Sequence, residues 1–153
     1  MCFNLSSWAQ KSIPNVLKKY NKESVPYIKI NAIKNSNSIL LDAREPEEFK
    51  VSHIPNAIPV GFKNFKPENI RKLIKNLNTP IIVYCSIGVR SEQIGEKLQK
   101  MGYTQVYNLY GGIFEYKNKG GKVVNLKKQE TDSIHAFNKQ WSVYLNKGIK
   151  IYE

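Results

Sequence analysis

Short apolar runs alternate with amphipathic stretches through the middle of the chain. The runs predict strands at 27–30, 39–42, 57–60, 81–84 and 106–109. Signals for helices lie between them, at 46–49, 67–77, 91–101 and 113–119. The run at 81–84 is apolar throughout, as expected for a strand that is covered on both faces. This alternation predicts an α/β fold with a parallel sheet between helices.

The clearest predicted helix covers residues 91–101. Ile94, Leu98 and Met101 form one apolar stripe along it. Ser91 is predicted to cap its first turn, and Gly102 follows the last turn as a C-terminal cap.

Both ends of the chain are predicted to be helical extensions of one central domain, with boundaries at 1–25, 26–125 and 126–153. In the first extension, Pro14 should interrupt or restart the helix, because its ring removes a hydrogen-bond donor. The second should form an amphipathic helix over 131–147, capped by Thr131 or Asp132. That helix either packs onto the domain or docks a partner. The apolar positions at helical spacing are Leu5, Trp8, Ala9, Val16, Leu17 and Tyr20, and then Ile134, Phe137, Trp141, Tyr144 and Leu145.

Length and composition are those of a single domain with its own core. The chain has 153 residues, of which 41% are hydrophobic and 11% aromatic. No run approaches the roughly 20 apolar residues that cross a bilayer, and no long apolar leader begins the chain. We therefore expect a soluble, cytoplasmic protein. The lesser alternative is a lipid-anchored form, in which Cys2 is the acceptor left after removal of a lipoprotein signal.

The net charge of +12 attracts anions but does not by itself identify a partner. Lysines are scattered along the chain and are not interleaved with aromatic residues, so a nucleic-acid partner is the less favoured interpretation. Two cysteines do not make a disulfide framework. His53 and His135 lie far apart and show no local ligand motif, so no metal is expected.

The candidate for chemistry is Cys85, which directly follows the apolar run at 81–84. Ligands of open α/β sheets gather at the carboxyl ends of the strands. The following loop can curl around the sulfur, because Gly88 permits a left-handed turn and the next helix adds its positive end. Arg90 adds a formal charge. The loop predicted to hold the sulfur consists of Ser86, Ile87, Gly88, Val89 and Arg90.

Such surroundings favour the thiolate of Cys85. A free cysteine has a pKa near 8.5, and comparable loops lower it to about 3.5–7.5. The same arrangement would stabilise a persulfide anion or bind an oxyanion. The plainer interpretation is a small buried residue at the end of a core strand. The loop contains no histidine or acid as a general base, which argues against protease-like chemistry.

Three stretches resemble the single-domain rhodanese-like sulfurtransferase family. Residues 41–49 with 53–57 are similar to its "D-V-R-E-P-x-E-F … G-H-I-P-G-A" segment. Residues 85–91 are similar to its "C-x-x-G-x-R-S" loop, and 109–113 with Tyr116 resemble its "L-x-G-G-x-x-x-W" ending. The resemblance covers about residues 26–125. Ser52 and Asn56 stand at two glycine positions of the pattern, and Tyr116 replaces its tryptophan.

The resemblance implies a five-stranded parallel sheet and a double-displacement reaction at Cys85. The thiolate would take a sulfane sulfur from a small anionic donor such as thiosulfate, and the persulfide would pass it to cyanide, a thiol or a protein. No metal or organic cofactor is implied. Backbone N–H groups of residues 86–90 would hold the persulfide, and Arg90 would help bind the donor. Asp42 and Arg44 are expected to form a buried hydrogen-bond network that shapes the loops, with direct substrate contact by Arg44 as the lesser alternative. Ser91, at the end of the Cys85 loop, is expected to be a further supporting residue, and His53 to be a satisfied loop residue.

Two other functions remain open. A phosphatase or arsenate reductase of the related type separates cysteine and arginine by five residues, whereas four separate Cys85 from Arg90. The smaller loop suits a sulfane sulfur better than a phosphate ester. A noncatalytic binding or regulatory module of the same fold is the second alternative, although the presence of Cys85 argues against it.

Overall fold

A five-stranded parallel sheet forms the centre of the molecule, which we describe from a computed structural model covering residues 11–152. The strand order is β1-β5-β4-β2-β3, and every pair in it is parallel. The predicted sheet is thus confirmed. Its strands are β1 (Tyr27–Ile28), β2 (Ile39–Asp42), β3 (Ile58–Pro59), β4 (Ile81–Tyr84) and β5 (Val106–Leu109).

The helices flank this sheet, and one turn of 3₁₀ helix lies at Ile30–Ala32. Proline occupies the first turn of three of them, where its missing N–H has no helical partner to lose. Over the described residues the α-helices are α1 (Ile13–Tyr20), α2 (Pro46–Val51), α3 (Pro67–Leu73), α4 (Val89–Lys100), α5 (Gly112–Asn118) and α6 (Lys139–Ser142).

The side chains of β4 alternate between two hydrophobic cores. Ile82 and Tyr84 pack in the core that contains residues of α1, α5 and the C-terminal segment. Ile81 and Val83 pack in the opposite core, which contains residues of α3 and α4. All four are buried, because both faces of the central strand are covered. The carboxyl end of β4 therefore lies in the middle of the sheet edge.

Several predicted boundaries shift in the structure. The helix predicted at 67–77 ends at Leu73, and the one predicted to begin at residue 91 begins at Val89. The expectation that Ser91 caps α4 is wrong, because Gly88 occupies the cap position. Gly102 has a left-handed φ of 99° directly after the helix, as predicted for its C-terminal end.

Pro14 lies at the start of a helix rather than at the end of one. It lies in the first turn of α1, where Ser12 caps the helix by accepting a hydrogen bond from the Asn15 N–H. Val16 and Leu17 are buried as the spacing predicted. The positions Cys2, Leu5, Trp8 and Ala9, which the predicted extension also used, lie outside the described residues.

The amphipathic helix expected over 131–147 is wrong. Four short strands follow the central sheet instead: an antiparallel pair, β6 (Val123–Val124) with β7 (Glu130–Thr131), and a parallel pair, β8 (Ser133–His135) with β9 (Ile149–Ile151).

Backbone geometry explains why this segment is not one helix. Phe137 has a φ of 69°, which a right-handed helix cannot contain. The short α6 begins only after it, capped by Asn138 rather than by Thr131 or Asp132. Ile134 and Leu145 are nevertheless buried in the first core, so the segment packs onto the domain.

Within the described residues, none of the helices combines the length and the apolar character that crossing a membrane requires.

We predict that Gly112→Ala destabilises the protein strongly. Gly112 has a φ of 57°, and a Cβ there would overlap the Cys85 carbonyl oxygen and lie 2.6 Å from the Ser86 carbonyl. The expected loss in free energy of unfolding is about 3 kcal/mol or more, measured by urea denaturation. Gly120→Ala is the matched control. It shares the left-handed φ but has open space around it, so it should cost only about 1 kcal/mol. Equal losses in both variants would contradict the steric explanation.

Candidate functional site

Cys85 lies at the carboxyl end of β4, between the ends of β2 and β5. Its side chain is almost entirely buried, with 1% of its surface exposed. Because β4 is the middle strand, loops from both neighbouring strands reach this position. The structure therefore brings the predicted cysteine to the edge at which an open α/β sheet binds its ligands.

The loop after Cys85 directs a backbone N–H at the sulfur. Gly88 has a φ of 116° and a ψ of 6°, a left-handed conformation that other residues rarely adopt. In this conformation the Gly88 N–H donates to the Cys85 Sγ across 3.2 Å. Gly88 is also the N-cap of α4, whose positive end faces the sulfur. Both features stabilise negative charge on Cys85.

The first turn of α5 holds the loop in place through two backbone hydrogen bonds. The N–H of Ile113 donates to the carbonyl of Cys85 across 3.0 Å, and that of Phe114 donates to the carbonyl of Ser86 across 3.1 Å. These contacts need the close approach that Gly112 permits. The cysteine is therefore held by its own backbone as well as by its side-chain surroundings.

A buried polar pair fixes the far side of the loop. The Ser91 hydroxyl donates to the Asn108 Oδ1 across 2.7 Å, and it also lies 3.4 Å from the Cys85 Sγ. The Asn108 side-chain amide in turn donates to the Gly88 carbonyl across 2.8 Å. Asn108 thus couples strand β5 to the turn that presents its N–H to the sulfur.

Arg90 lies beside the sulfur but is paired with Glu48 of α2. The guanidinium Nη1 and Nη2 contact the two carboxylate oxygens at 2.7 and 2.8 Å, and Nη2 also donates to the Ser86 hydroxyl. Burial raises the pKa of Glu48, but the hydrogen bond and charge of Arg90 outweigh this and leave the pKa below its usual value. Glu48 is therefore ionised, and the local charge of Arg90 is neutralised.

Asp42 and Arg44 form a buried ion pair at the end of β2. The Arg44 Nη2 lies 2.7 Å from the Asp42 carboxylate and equally close to the Ser52 carbonyl. The hydroxyl of Tyr84 donates to the same carboxylate. Burial, and next the charge of Asp42, raise the pKa of Tyr84 well above its usual value. This network shapes the loops around the site, and the Arg44 side chain has no exposed surface.

The two histidines lie in different surroundings. The ring of His53 stacks on Phe49 with centroids 3.7 Å apart, and its Nδ1 lies 3.0 Å from the Phe49 carbonyl. The Nδ1 of His135 accepts the N–H of Phe137 across 3.0 Å, and burial lowers the pKa of His135. His135 is consequently neutral at neutral pH. Neither ring bonds to Cys85.

A pocket of about 250 Å³ opens above Cys85. Part of its wall comes from the loop after Cys85, namely Ser86, Ile87, Val89 and Arg90. Phe137 and Trp141 from the C-terminal segment form the rest. The ring of Phe137 lies over the Arg90 guanidinium, with 4.8 Å between the guanidinium carbon and the ring centroid. The segment that the sequence assigned to a separate helix therefore completes the mouth of the site.

Sequence reasoning missed three kinds of residue here. Nothing in the sequence around Glu48 indicates its contact with Arg90, which lies 42 positions away. Asn108 had a usable signal, since it is a polar residue inside an apolar strand. Phe137 and Trp141 belong to the predicted apolar stripe, but only Trp141 lies in a helix, and Phe137 has a left-handed backbone.

Over residues 11–152, no group of three or more histidine, cysteine, aspartate or glutamate side chains is arranged to hold a metal ion. The arrangement at Cys85 instead suits a nucleophilic sulfur. It combines a buried thiol, an inward N–H, a helix N-terminus and an open pocket.

The sequence is similar to curated proteins that are about twice as long. A tRNA uridine(34) hydroxylase from Pelagibacter ubique (strain HTCC1062) is 32% identical over 133 residues, which are 86% of this chain and 38% of the relative. One from Buchnera aphidicola subsp. Baizongia pistaciae (strain Bp) is 30% identical over 122 residues, 78% of this chain and 39% of the relative. The chain therefore spans about two fifths of these relatives.

The fold is similar to those of solved proteins. A thiosulfate sulfurtransferase from Pseudomonas aeruginosa superposes with a TM-score of 0.62 at 21% identity, covering 71% of this chain and 21% of that one. A rhodanese-related protein from Thermoplasma volcanium superposes with a TM-score of 0.56 at 25% identity, covering 65% of this chain and 97% of that one. The first likeness concerns the fold alone.

A family model described as the rhodanese-like domain matches residues 28–119, which is more than half of the chain. The matched range includes the central sheet, Cys85 and its loop, and it leaves out α1 and the C-terminal segment. It agrees with the resemblance carried by the three sequence stretches. The chain belongs to the rhodanese-like domain family.

Proposed function

We propose that the protein is a sulfurtransferase that carries a sulfane sulfur as a persulfide on Cys85. The observation that carries the proposal is the Gly88 N–H, which donates to the Cys85 Sγ across 3.2 Å at the base of an open pocket. The N-terminus of α4 adds its positive end at the same point. A thiolate or persulfide anion would be stabilised by both.

The proposed reaction has two displacements. The Cys85 thiolate attacks the outer sulfur of a sulfane donor such as thiosulfate or a persulfide. A new S–S bond forms on Cys85, and the donor's S–S bond breaks with its electron pair leaving on sulfite or on a thiolate. A thiol, cyanide or a protein thiolate then attacks the outer sulfur and regenerates Cys85. The covalent persulfide serves in place of a metal or an organic cofactor.

Loop length supports sulfur transfer over phosphate chemistry. Four residues separate Cys85 from Arg90, and within this loop only the Gly88 N–H donates to the sulfur. Arg90 also holds Glu48 with both terminal nitrogens, so a phosphate would have to displace a buried carboxylate. A noncatalytic module would leave the inward N–H at Cys85 without a purpose.

We predict that the protein with a Cys2→Ser substitution gains the mass of one sulfur atom when it is incubated with a sulfane donor. Intact-mass spectrometry checks the gain, and thiocyanate formation on adding cyanide checks turnover. Cys85→Ala should abolish both, since it removes the only sulfur positioned at the pocket in the described residues. Cys85→Ser keeps the size of the side chain and serves as the matched variant. If several donors produce no gain in mass and no turnover, the proposed sulfurtransferase activity is refuted.

As a second candidate, we propose that the protein acts on tRNA at uridine 34. The names of the curated relatives support this, since their similarity reaches 86% of this chain. An aromatic cluster near the pocket supports it too. The rings of Tyr20 and Trp141 lie 5.7 Å apart, with Lys19 over Tyr20 at 5.2 Å. The exposed ring of Tyr20 and the half-buried ring of Trp141, next to Lys19, suit stacked bases and phosphates. The net charge of +12 favours such a partner.

We predict that an anticodon stem-loop with uridine at position 34 binds more tightly than the same RNA with cytidine there. Fluorescence anisotropy measures the two dissociation constants at several salt concentrations, and affinity should fall steeply with salt. Lys19→Glu should weaken binding by about threefold or more. Lys72→Glu on α3, which packs against the opposite face of the sheet, is the matched control. Equal affinity for both RNAs, unchanged by Lys19→Glu, would indicate only a nonspecific basic surface.

A further inference from the structure

Arg90, the cation at the mouth of the Cys85 pocket, is already paired with a carboxylate, so its charge is not available to a bound anion. Among the described residues that line the pocket, Arg90 is the one with a cationic side chain. Its two terminal nitrogens are occupied by the Glu48 carboxylate at 2.7 and 2.8 Å. Glu48 is only 2% exposed, so solvent does not screen this pair strongly. The nearby Asp42–Arg44 pair is also neutral overall.

Phe137 closes one face of the same guanidinium. Its ring centroid lies 4.8 Å from the guanidinium carbon, and its backbone is held in a left-handed conformation with a φ of 69°. The N–H of Phe137 donates to the Nδ1 of His135, whose pKa is lowered by burial, so His135 adds no compensating charge. A non-glycine residue in this conformation is uncommon and is often found at functional sites.

The remaining wall of the pocket is apolar. Ile87, Val89, Phe137 and Trp141 form it, and the hydroxyl of Ser86, which is bonded to Arg90, adds the polar remainder. A volume of about 250 Å³ leaves room for an organic group beyond the sulfur that reacts. Aromatic rings and aliphatic side chains bind such a group through burial of its surface, whereas they give a doubly charged oxyanion no hydrogen bonds.

We propose that Cys85 takes its sulfur from an organic sulfane donor of low charge, such as an alkyl or aryl persulfide, and that Glu48 sets this specificity. Glu48 is a positioning residue: it holds Arg90 and offsets its charge, so the dianion thiosulfate gains little from Arg90. When Cys85 is a thiolate, the sum over Cys85, Arg90 and Glu48 is one negative charge, which repels a dianion more than a monoanion. The inference rests on the proposed sulfurtransferase function and names its donor class.

The loading step balances without an oxidant. The Cys85 thiolate attacks the outer sulfur of R–S–SH, and a new S–S bond forms on Cys85. The donor's S–S bond breaks, and its electron pair leaves on the thiolate R–S⁻. The proton on the transferred sulfur is lost to water, which leaves the Cys85 persulfide anion next to the Gly88 N–H. The R group packs against the apolar wall of the pocket during the attack.

Two stable probes that differ in one substituent test the proposal. Thiosulfate carries two negative charges, and benzenethiosulfonate replaces one charged oxygen by a phenyl ring. The rate of sulfur gain on Cys85 is measured for each by quenched intact-mass spectrometry, in the Cys2→Ser protein. Each rate is divided by that of the same probe with N-acetylcysteine, which removes the intrinsic reactivity of the donor.

The normalised rate should favour benzenethiosulfonate by about tenfold or more in the parent protein. Glu48→Gln keeps the shape of the side chain and removes its charge, so it should narrow this ratio about tenfold by raising the thiosulfate rate. Glu47→Gln is the matched control, because Glu47 is the adjacent exposed acid on α2. It should leave the ratio within about twofold. Phe137→Ala should lower the benzenethiosulfonate rate alone.

Four outcomes would overturn the inference. A parent ratio near or below one would remove the donor preference, with sulfur transfer itself intact. A folded Glu48→Gln protein with the parent ratio would remove the role of Glu48. If Glu48→Gln does not fold, Phe137→Ala decides instead. An unchanged benzenethiosulfonate rate in that variant would show that the apolar wall does not bind the organic group of the donor. A failure of both probes to load Cys85 would reject the proposed function together with the inference.

Discussion

The buried ion pair of Asp42 and Arg44 is the interaction on which the geometry of the site depends. It joins β2 to the Ser52 carbonyl after α2, and through the Tyr84 hydroxyl it joins β2 to β4. Removing one partner of such a pair leaves an uncompensated buried charge, at a cost of about 3–5 kcal/mol. The pair therefore fixes the position of α2, and with it Glu48, relative to the strand that ends in Cys85.

The loop after Cys85 depends on a second constraint, which is backbone crowding. The carbonyls of Cys85 and Ser86 accept N–H groups from α5, so they point away from the pocket. The Gly88 carbonyl accepts the side-chain amides of Asn21 and Asn108 and is likewise directed outward. Because these carbonyls are held by hydrogen bonds on the other side of the loop, the Gly88 N–H faces the sulfur. The electrostatics at Cys85 thus follow from where the loop carbonyls are satisfied.

The central sheet could be predicted because its strands are short, apolar and flanked by clear turn and helix signals. Ile81 to Tyr84 illustrates this, since each of its side chains is buried on one face or the other. The helix start at Val89 was harder to predict from the sequence, because the N-cap residue Gly88 has no side chain that could signal a cap. Ser91, which has the right chemistry for a cap, is used instead to hold Asn108.

The C-terminal segment shows where periodicity fails. Ile134, Trp141 and Leu145 recur at nearly helical spacing, yet the left-handed backbone of Phe137 lies between strand β8 and helix α6. A left-handed phenylalanine leaves no trace in a hydrophobic pattern, because no glycine or proline marks it. The contact of Glu48 with Arg90 was equally hidden, since it depends on α2 and α4 meeting across the sheet edge. The sequence thus predicts the position of Cys85 and its loop, but not the groups that set the charge and shape of the pocket.

Net charge and site charge act at different distances, which is why the +12 of the whole chain does not fix what reacts at Cys85. Beyond a Debye length of about 8 Å, exposed lysines only raise the local concentration of anions. At contact, the relevant charges are those of Cys85, Arg90 and Glu48, and the buried carboxylate neutralises the arginine. A basic protein can therefore attract anions to its surface and still prefer a weakly charged donor at its sulfur.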